Sequence, residues 1–110
     1  MDRSKIAIVI PAFNEEKTIS NVVLEASKYG QVIVVDDGSI DNTGKVAKNS
    51  GAILETHTLN LGYDAALGTG FKKASDLGII YLITLDADGQ HQPKLIKNFI
   101  KELDNGFSIV

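Results

Sequence analysis

The chain of 110 residues carries 11 Lys and Arg against 14 Asp and Glu, a formal net charge of -3, with 44% hydrophobic and 23% charged residues. That is the size of one domain with one core, and the charge shows none of the basic stripe a phosphate backbone requires, so nucleic acid is not expected as a partner. The chain has no cysteine, which excludes disulfides, thiolate metal sites and cysteine nucleophiles and leaves any metal to oxygen or histidine.

The first apolar run, Ile6-Ala7-Ile8-Val9-Ile10, reads as a strand and leads into Pro11-Ala12-Phe13-Asn14-Glu15-Glu16. Ile19, Val22, Val23 and Ala26 then fall on one helical stripe. A second strand, Val32-Ile33-Val34-Val35, delivers Asp36-Asp37-Gly38-Ser39, and weaker helical patterns cover 43–50 and 65–77 on either side of a third strand. The run Ile79-Ile80-Tyr81-Leu82-Ile83-Thr84-Leu85 is the fourth strand and stops at Asp86-Ala87-Asp88-Gly89. Leu95, Ile96, Phe99, Ile100 and Leu103 form another helical stripe, and 107–110 begins a last strand, as expected of part of a larger domain. Gly30, Gly51, Gly78 and Gly106 each close a helical pattern ahead of an apolar run, where a residue tolerant of positive φ is wanted. Ile- and Val-rich strands without polar alternation, separated by helices, predict an α/β fold: a Rossmann-like three-layer α/β/α arrangement around a mainly parallel sheet. The longest apolar stretch, 79–85, falls far short of the roughly 20 residues that span a bilayer, and the N-terminus lacks a signal-peptide core. A soluble, cytoplasmic chain is the expectation.

In an open parallel sheet ligands sit outside the carboxyl ends of the strands, and right-handed crossovers keep the turns after the strands on one edge. Glu15, Asp36, Asp37, Asp86 and Asp88 are thereby expected to line one crevice. Such a cluster of carboxylates is costly unless neutralised. A divalent cation and a ligand rich in N–H and O–H donors do this, and a nucleoside diphosphate offers both the donors and metal-binding oxygens. Each motif also has a plainer reading. Asp36-Asp37-Gly38-Ser39 taken alone is equally a polar turn with Asp41 or Asn42 capping the next helix. Glu15 and Glu16 also suit a helix N-terminus, His91 reads as a surface or supporting histidine and His57 as a strand-end residue. Asp86-Ala87-Asp88-Gly89 holds two acids where a turn needs one, which favours metal binding. Competing motifs fail residue by residue. Neither a G-x-G-x-x-G fingerprint after the first strand nor a P-loop is present. An EF-hand starting at Asp86 would place His91 and Lys97 where glycine and glutamate are needed. Haloacid-dehalogenase and receiver-domain acidic motifs normally follow the first strand, which ends here in Pro11-Ala12-Phe13.

Together, Pro11-Ala12-Phe13-Asn14-Glu15, Val34-Val35-Asp36-Asp37-Gly38-Ser39-Ile40-Asp41-Asn42-Thr43 and Leu85-Asp86-Ala87-Asp88-Gly89-Gln90-His91 resemble, in order and spacing, the family 2 glycosyltransferases of the GT-A fold. The closest likeness is to the dolichyl-phosphate-mannose-synthase-like branch, and it covers nearly the whole chain. The resemblance implies an inverting transfer from a UDP- or GDP-sugar, with Mg²⁺ or Mn²⁺ on the diphosphate. By motif position, Pro11, Ala12, Phe13 and Glu15 would form the base and ribose pocket, with Asp37 reaching the base and Asp36 supporting it. Asp86, Asp88 and Gln90 would serve ribose and metal.

The segment Asn60-Leu61-Gly62-Tyr63-Asp64-Ala65-Ala66-Leu67-Gly68-Thr69-Gly70 resembles the family's glycine-containing turn before the third helix, with two departures. Relatives usually carry glycine at Asp64 and often arginine or asparagine at Gly68, so this chain places an acid close to where a diphosphate would bind. The family's general base and acceptor-binding elements are expected beyond residue 110, at the cytoplasmic face of the membrane for a polyprenyl-phosphate acceptor. Residues 1–110 thus read as a donor-binding part, with little activity alone. A second reading is a non-catalytic nucleotide-binding or assembly module that forms homo-oligomers through the edge strand at 107–110.

Overall fold

The computed structural model describes residues 2–88. Four parallel strands, β1 (Ile6–Ala12), β2 (Gln31–Asp37), β3 (Ile53–His57) and β4 (Tyr81–Thr84), form one sheet in the order β3-β2-β1-β4. Three helices, α1 (Ile19–Ala26), α2 (Thr43–Asn49) and α3 (Tyr63–Asp76), connect them. The expected α/β architecture is therefore what the chain adopts over these residues.

The layering follows from the period of two along β1 and β2. Ile6, Ile8, Ile10, Val32 and Val34 face α1 and α2, where they pack with Ile19, Val22, Val23, Ala26 and Ala47. Ala7, Val9, Ile33 and Val35 face the other way, onto Ala66 and Ala74 of α3. All nine strand residues are buried, and each Ile or Val contributes roughly 1.5–3 kcal/mol relative to exposure. The predicted stripe on α1 is thus the buried face of that helix. Gly70 permits the close approach of α3, since a Cβ there would lie 2.3 Å from Val9 Cγ1.

Contrary to expectation, the corner glycines are not all selected by positive φ. Gly51 and Gly78 do take positive φ, of 100° and 73°, but Gly30 is absent from the positive-φ residues. A Cβ at Gly30 would lie 2.7 Å from the Ile6 carbonyl oxygen, so crowding against the start of β1 selects glycine there. The predicted helices at 43–50 and 65–77 form as α2 and α3 within a residue or two. The stripe through Leu95 to Leu103 and the strand at 107–110 lie outside the described residues.

From β1 the chain steps outward through β2 to β3, then returns to place β4 on the other side of β1. The strand order therefore reverses between β1 and β4, and the carboxyl ends of these two strands flank the crevice where open α/β sheets bind ligands.

Candidate functional site

The loops after β1 and β2 are locked together by side chains rather than by secondary structure. Asn14 adopts φ 54°, a left-handed conformation that short polar side chains tolerate through local hydrogen bonds. Its N–H donates to Ser39 Oγ at 2.9 Å, and its Oδ1 accepts from the Ile40 N–H at 3.0 Å. Glu15 N–H donates to Thr43 Oγ1 at 2.8 Å, while Glu16 N–H donates to Asp41 Oδ2 at 3.3 Å and Glu16 Oε2 accepts from Asn42 N–H at 3.1 Å. Asp41 also accepts from the Thr43 N–H at 2.9 Å and from the Thr43 hydroxyl. The Thr43 hydroxyl first, then backbone N–H groups, hold the Asp41 carboxyl below its usual value. Asn42 occupies the N-cap of α2 without a side-chain bond, so the capping role falls to Asp41. The plainer reading of Glu16 as a structural acid fits its bond to this turn.

Asp36 and Asp37, adjacent in sequence, do different work because successive strand residues point to opposite faces. Asp36 Oδ1 accepts the Ser39 N–H at 3.0 Å, closing the turn. Its Oδ2 sits where a Cβ on Gly44 would approach to 2.6 Å. Asp37 is 4% exposed and accepts three bonds: His57 Nδ1 and Leu61 N–H on Oδ1 at 2.8 and 2.9 Å, and Gly62 N–H on Oδ2 at 2.9 Å. Burial pushes its carboxyl up, but the His57 bond and the two N–H donors outweigh this and hold it below the usual 3.8. His57 ends β3, as expected of it, and lies opposite Asp37 in the parallel register. Its Nε2 is 2.7 Å from Thr69 Oγ1 on α3.

Pro11, Ala12, Phe13, Asp37, Asn60, Gly62, Tyr63 and Ala66 line one pocket of about 200 Å³. That is below the roughly 300–1,000 Å³ typical of a complete small-molecule site, so it suits one ring of a larger ligand. Four residues expected to bind nucleotide, Pro11, Ala12, Phe13 and Asp37, are thus brought together. Glu15 lines a separate depression with Asn14, Glu16, Lys17, Thr18 and Asp41. Asp36 supports the turn behind the pocket. Asn60, Gly62, Tyr63 and Ala66 were not among the expected site residues, although all four belong to the segment from Asn60 to Gly70 that the sequence marks out. Nothing in the sequence pairs His57 with Asp37, because parallel register is a tertiary property.

On the other side of β1, Asp86 is half-buried and Asp88 exposed, alternating with buried Leu85 and Ala87. Leu85 N–H continues the sheet by donating to the Val9 carbonyl at 3.1 Å. Thr18, the N-cap of α1, donates its hydroxyl to the Ala87 carbonyl at 2.7 Å. This bond fixes the acidic turn against the loop that carries Glu15. Gln90 lies outside the described residues. Among the described residues no three His, Asp or Glu side chains are grouped to hold a metal ion. Two carboxylates on one turn fit Mg²⁺ or Mn²⁺ in another way, since Mg²⁺ is commonly held by one or two carboxylates with phosphate oxygens and water completing its shell.

Comparison with known proteins agrees with this geometry. An uncharacterized protein of Methanocaldococcus jannaschii is 45% identical over 103 residues, which cover 92% of this chain and 42% of that protein. The UDP-N-acetylglucosamine–dolichyl-phosphate N-acetylglucosaminyltransferase of Methanococcus voltae is 41% identical over 119 residues, covering 91% of this chain and 47% of the relative. The chain thus spans less than half the length of the curated relatives it matches. Among solved structures, Mycobacterium tuberculosis glucosyl-3-phosphoglycerate synthase in complex with Mn²⁺, UDP-glucose and phosphoglyceric acid superposes with a TM-score of 0.67 at 26% identity, over 91% of this chain and 39% of that one. Residues 7–110 match the glycosyl transferase family 2 profile, and with a sheet, strand-end motifs and relatives that all agree, the chain belongs to glycosyl transferase family 2.

Proposed function

We propose that residues 1–110 form the donor-binding part of an inverting, metal-dependent glycosyltransferase that takes its sugar from a UDP- or GDP-sugar. The observation that carries this reading is the gathering of Pro11, Ala12, Phe13 and Asp37 around one pocket at the carboxyl edge that also carries Asp86 and Asp88. Phe13 and Pro11 offer apolar surface to a base, and the ionised Asp37 accepts from a base N–H. Glu15 and Asp86 serve the ribose, and Asp36 holds the turn that carries Asp37. Asp86, Asp88 and Gln90 would hold Mg²⁺ or Mn²⁺, which supplies charge neutralisation for the departing nucleoside diphosphate. What these side chains themselves do is orient the donor and keep its diphosphate at the β1–β4 crevice.

The acceptor in this reading is a polyprenyl phosphate, supported by the dolichyl-phosphate acceptor named for the Methanococcus voltae relative. Exposed Ile40, Leu59 and Leu61 supply apolar surface on the loops after β2 and β3. Acceptor binding and deprotonation are assigned to the remaining, larger part of such proteins, outside the matched part, working at the cytoplasmic membrane face. Among the described residues no helix is long and apolar enough to cross a membrane.

Calorimetric titration with UDP and GDP, with and without Mn²⁺, tests the proposal. Saturable binding of one nucleotide that requires Mn²⁺ and is lost in Asp88→Ala is expected. Binding unaltered by that substitution, or by withholding the metal, would overturn the assignment of the acidic turn.

A further inference from the structure

A carboxylate has four acceptor positions, and among the described residues three of those on Asp37 are filled. His57 and Leu61 take both positions on Oδ1 and Gly62 takes one on Oδ2. One directed lone pair remains, on Oδ2, in a residue that lines the pocket. An ionised Asp37 only accepts, so His57 Nδ1 carries the proton of that bond, and the hydrogen bond between Nε2 and the Thr69 hydroxyl holds the other side of the ring. The side chain is part-buried, 11% exposed, between a strand-end acid and the middle of α3, with both nitrogens committed.

We infer that His57 and Thr69 are positioning residues that aim the Asp37 carboxylate into the pocket, so that α3 sets the direction in which a bound base meets its acceptor. The inference rests on the reading of that pocket as the nucleobase site. Without His57, the Leu61 and Gly62 N–H groups still hold one oxygen each, but the third constraint on the carboxylate is lost, and a second lone pair opens on Oδ1 to compete with the one directed at the pocket. His57 itself does not touch the ligand in this arrangement.

Substitutions that mimic one ring nitrogen at a time separate this role from simple packing. The side-chain amide nitrogen of asparagine falls near the position of Nδ1, and that of glutamine near Nε2. Calorimetry with UDP and GDP in the presence of Mn²⁺ is expected to give about tenfold weaker binding for His57→Leu and His57→Gln, the loss of one charge-assisted hydrogen bond. His57→Asn, which restores a donor to Asp37, is expected to stay within about threefold of the parent. Thr69→Val and Thr69→Ser form an independent pair should the histidine variants not fold, with binding weakened in the first and kept in the second. Equal affinities for the Asn and Gln variants, or parental affinity in His57→Leu or Thr69→Val, would overturn the positioning role while leaving the pocket assignment intact. Absence of nucleotide binding by the parent chain, or parental affinity in Asp37→Asn, would overturn the pocket assignment itself and the relay with it.

Discussion

Replacing Asp37 by asparagine tests the electrostatic design of the pocket wall without changing its shape. The carboxylate receives His57, Leu61 and Gly62 at 2.8, 2.9 and 2.9 Å, and at 4% exposure water does not replace a lost partner. An amide has one acceptor oxygen. Turned toward His57 and Leu61, it points its NH2 at the Gly62 N–H, leaving that donor unsatisfied at about 1–3 kcal/mol. The two remaining bonds also lose their charge assistance, together about 1 kcal/mol. The expected loss is therefore about 2–4 kcal/mol, a large share of the roughly 5–15 kcal/mol of a typical domain. Urea unfolding at neutral pH should show a lower midpoint with an unchanged slope. The parent's advantage should also depend on pH. Its folded carboxyl titrates below the ordinary 3.8, so the folded state binds fewer protons than the unfolded state, and the stabilisation is fully present above that value. It is lost as pH falls through the folded pKa, where the protonated parent approaches the asparagine variant. A loss under about 0.5 kcal/mol at neutral pH, within the range of ordinary surface changes, or a gap that fails to narrow in acid, would refute the reasoning.

Two neighbouring glycines of α3 should respond in opposite directions to alanine. Gly68 has open space where a Cβ would go, so Gly68→Ala should stabilise by about 0.5–1 kcal/mol through helix propensity. Gly70→Ala should cost about 1–3 kcal/mol by driving a methyl into Val9 and Val35. Thermal melts of the pair check both signs. Thr18→Val removes the hydroxyl bond to the Ala87 carbonyl at a cost of about 1 kcal/mol and should weaken Mn²⁺-dependent nucleotide binding, with Thr18→Ser restoring both. Equal Mn²⁺ dependence in the valine variant would show that this bond does not serve the acidic turn.

The architecture was legible because burial on both faces leaves a direct mark. Ile6 to Ile10 and Val32 to Val35 carry no polar alternation, and Ile19, Val22, Val23 and Ala26 repeat with the helical period, so strands, helix and layers follow from spacing alone. Gly30 was misjudged because the sequence records a glycine but not whether φ or crowding selects it. The pocket was half legible. Pro11, Ala12, Phe13 and Asp37 stand directly at strand ends, whereas Asn60, Tyr63 and Ala66 reach it only because the β3–α3 turn folds back onto Asp37. The opposed duties of Asp36 and Asp37 follow from the strand period, but the His57 partnership depends on the register of β2 against β3, which no local pattern carries. Glu15 was expected in the same pocket and lines a separate depression instead, its N–H held by the Thr43 hydroxyl.

Amide chemical-shift mapping on titration with UDP or GDP and a diamagnetic divalent ion, Mg²⁺, reads the base pocket and the acidic turn in one experiment. Saturable shifts are expected at Ala12, Phe13, Leu61 and Gly62 together with Asp86 to Asp88, two groups far apart in sequence that share one edge of the sheet. Shifts confined to another face, or nucleotide binding that leaves both groups unmoved, would contradict it.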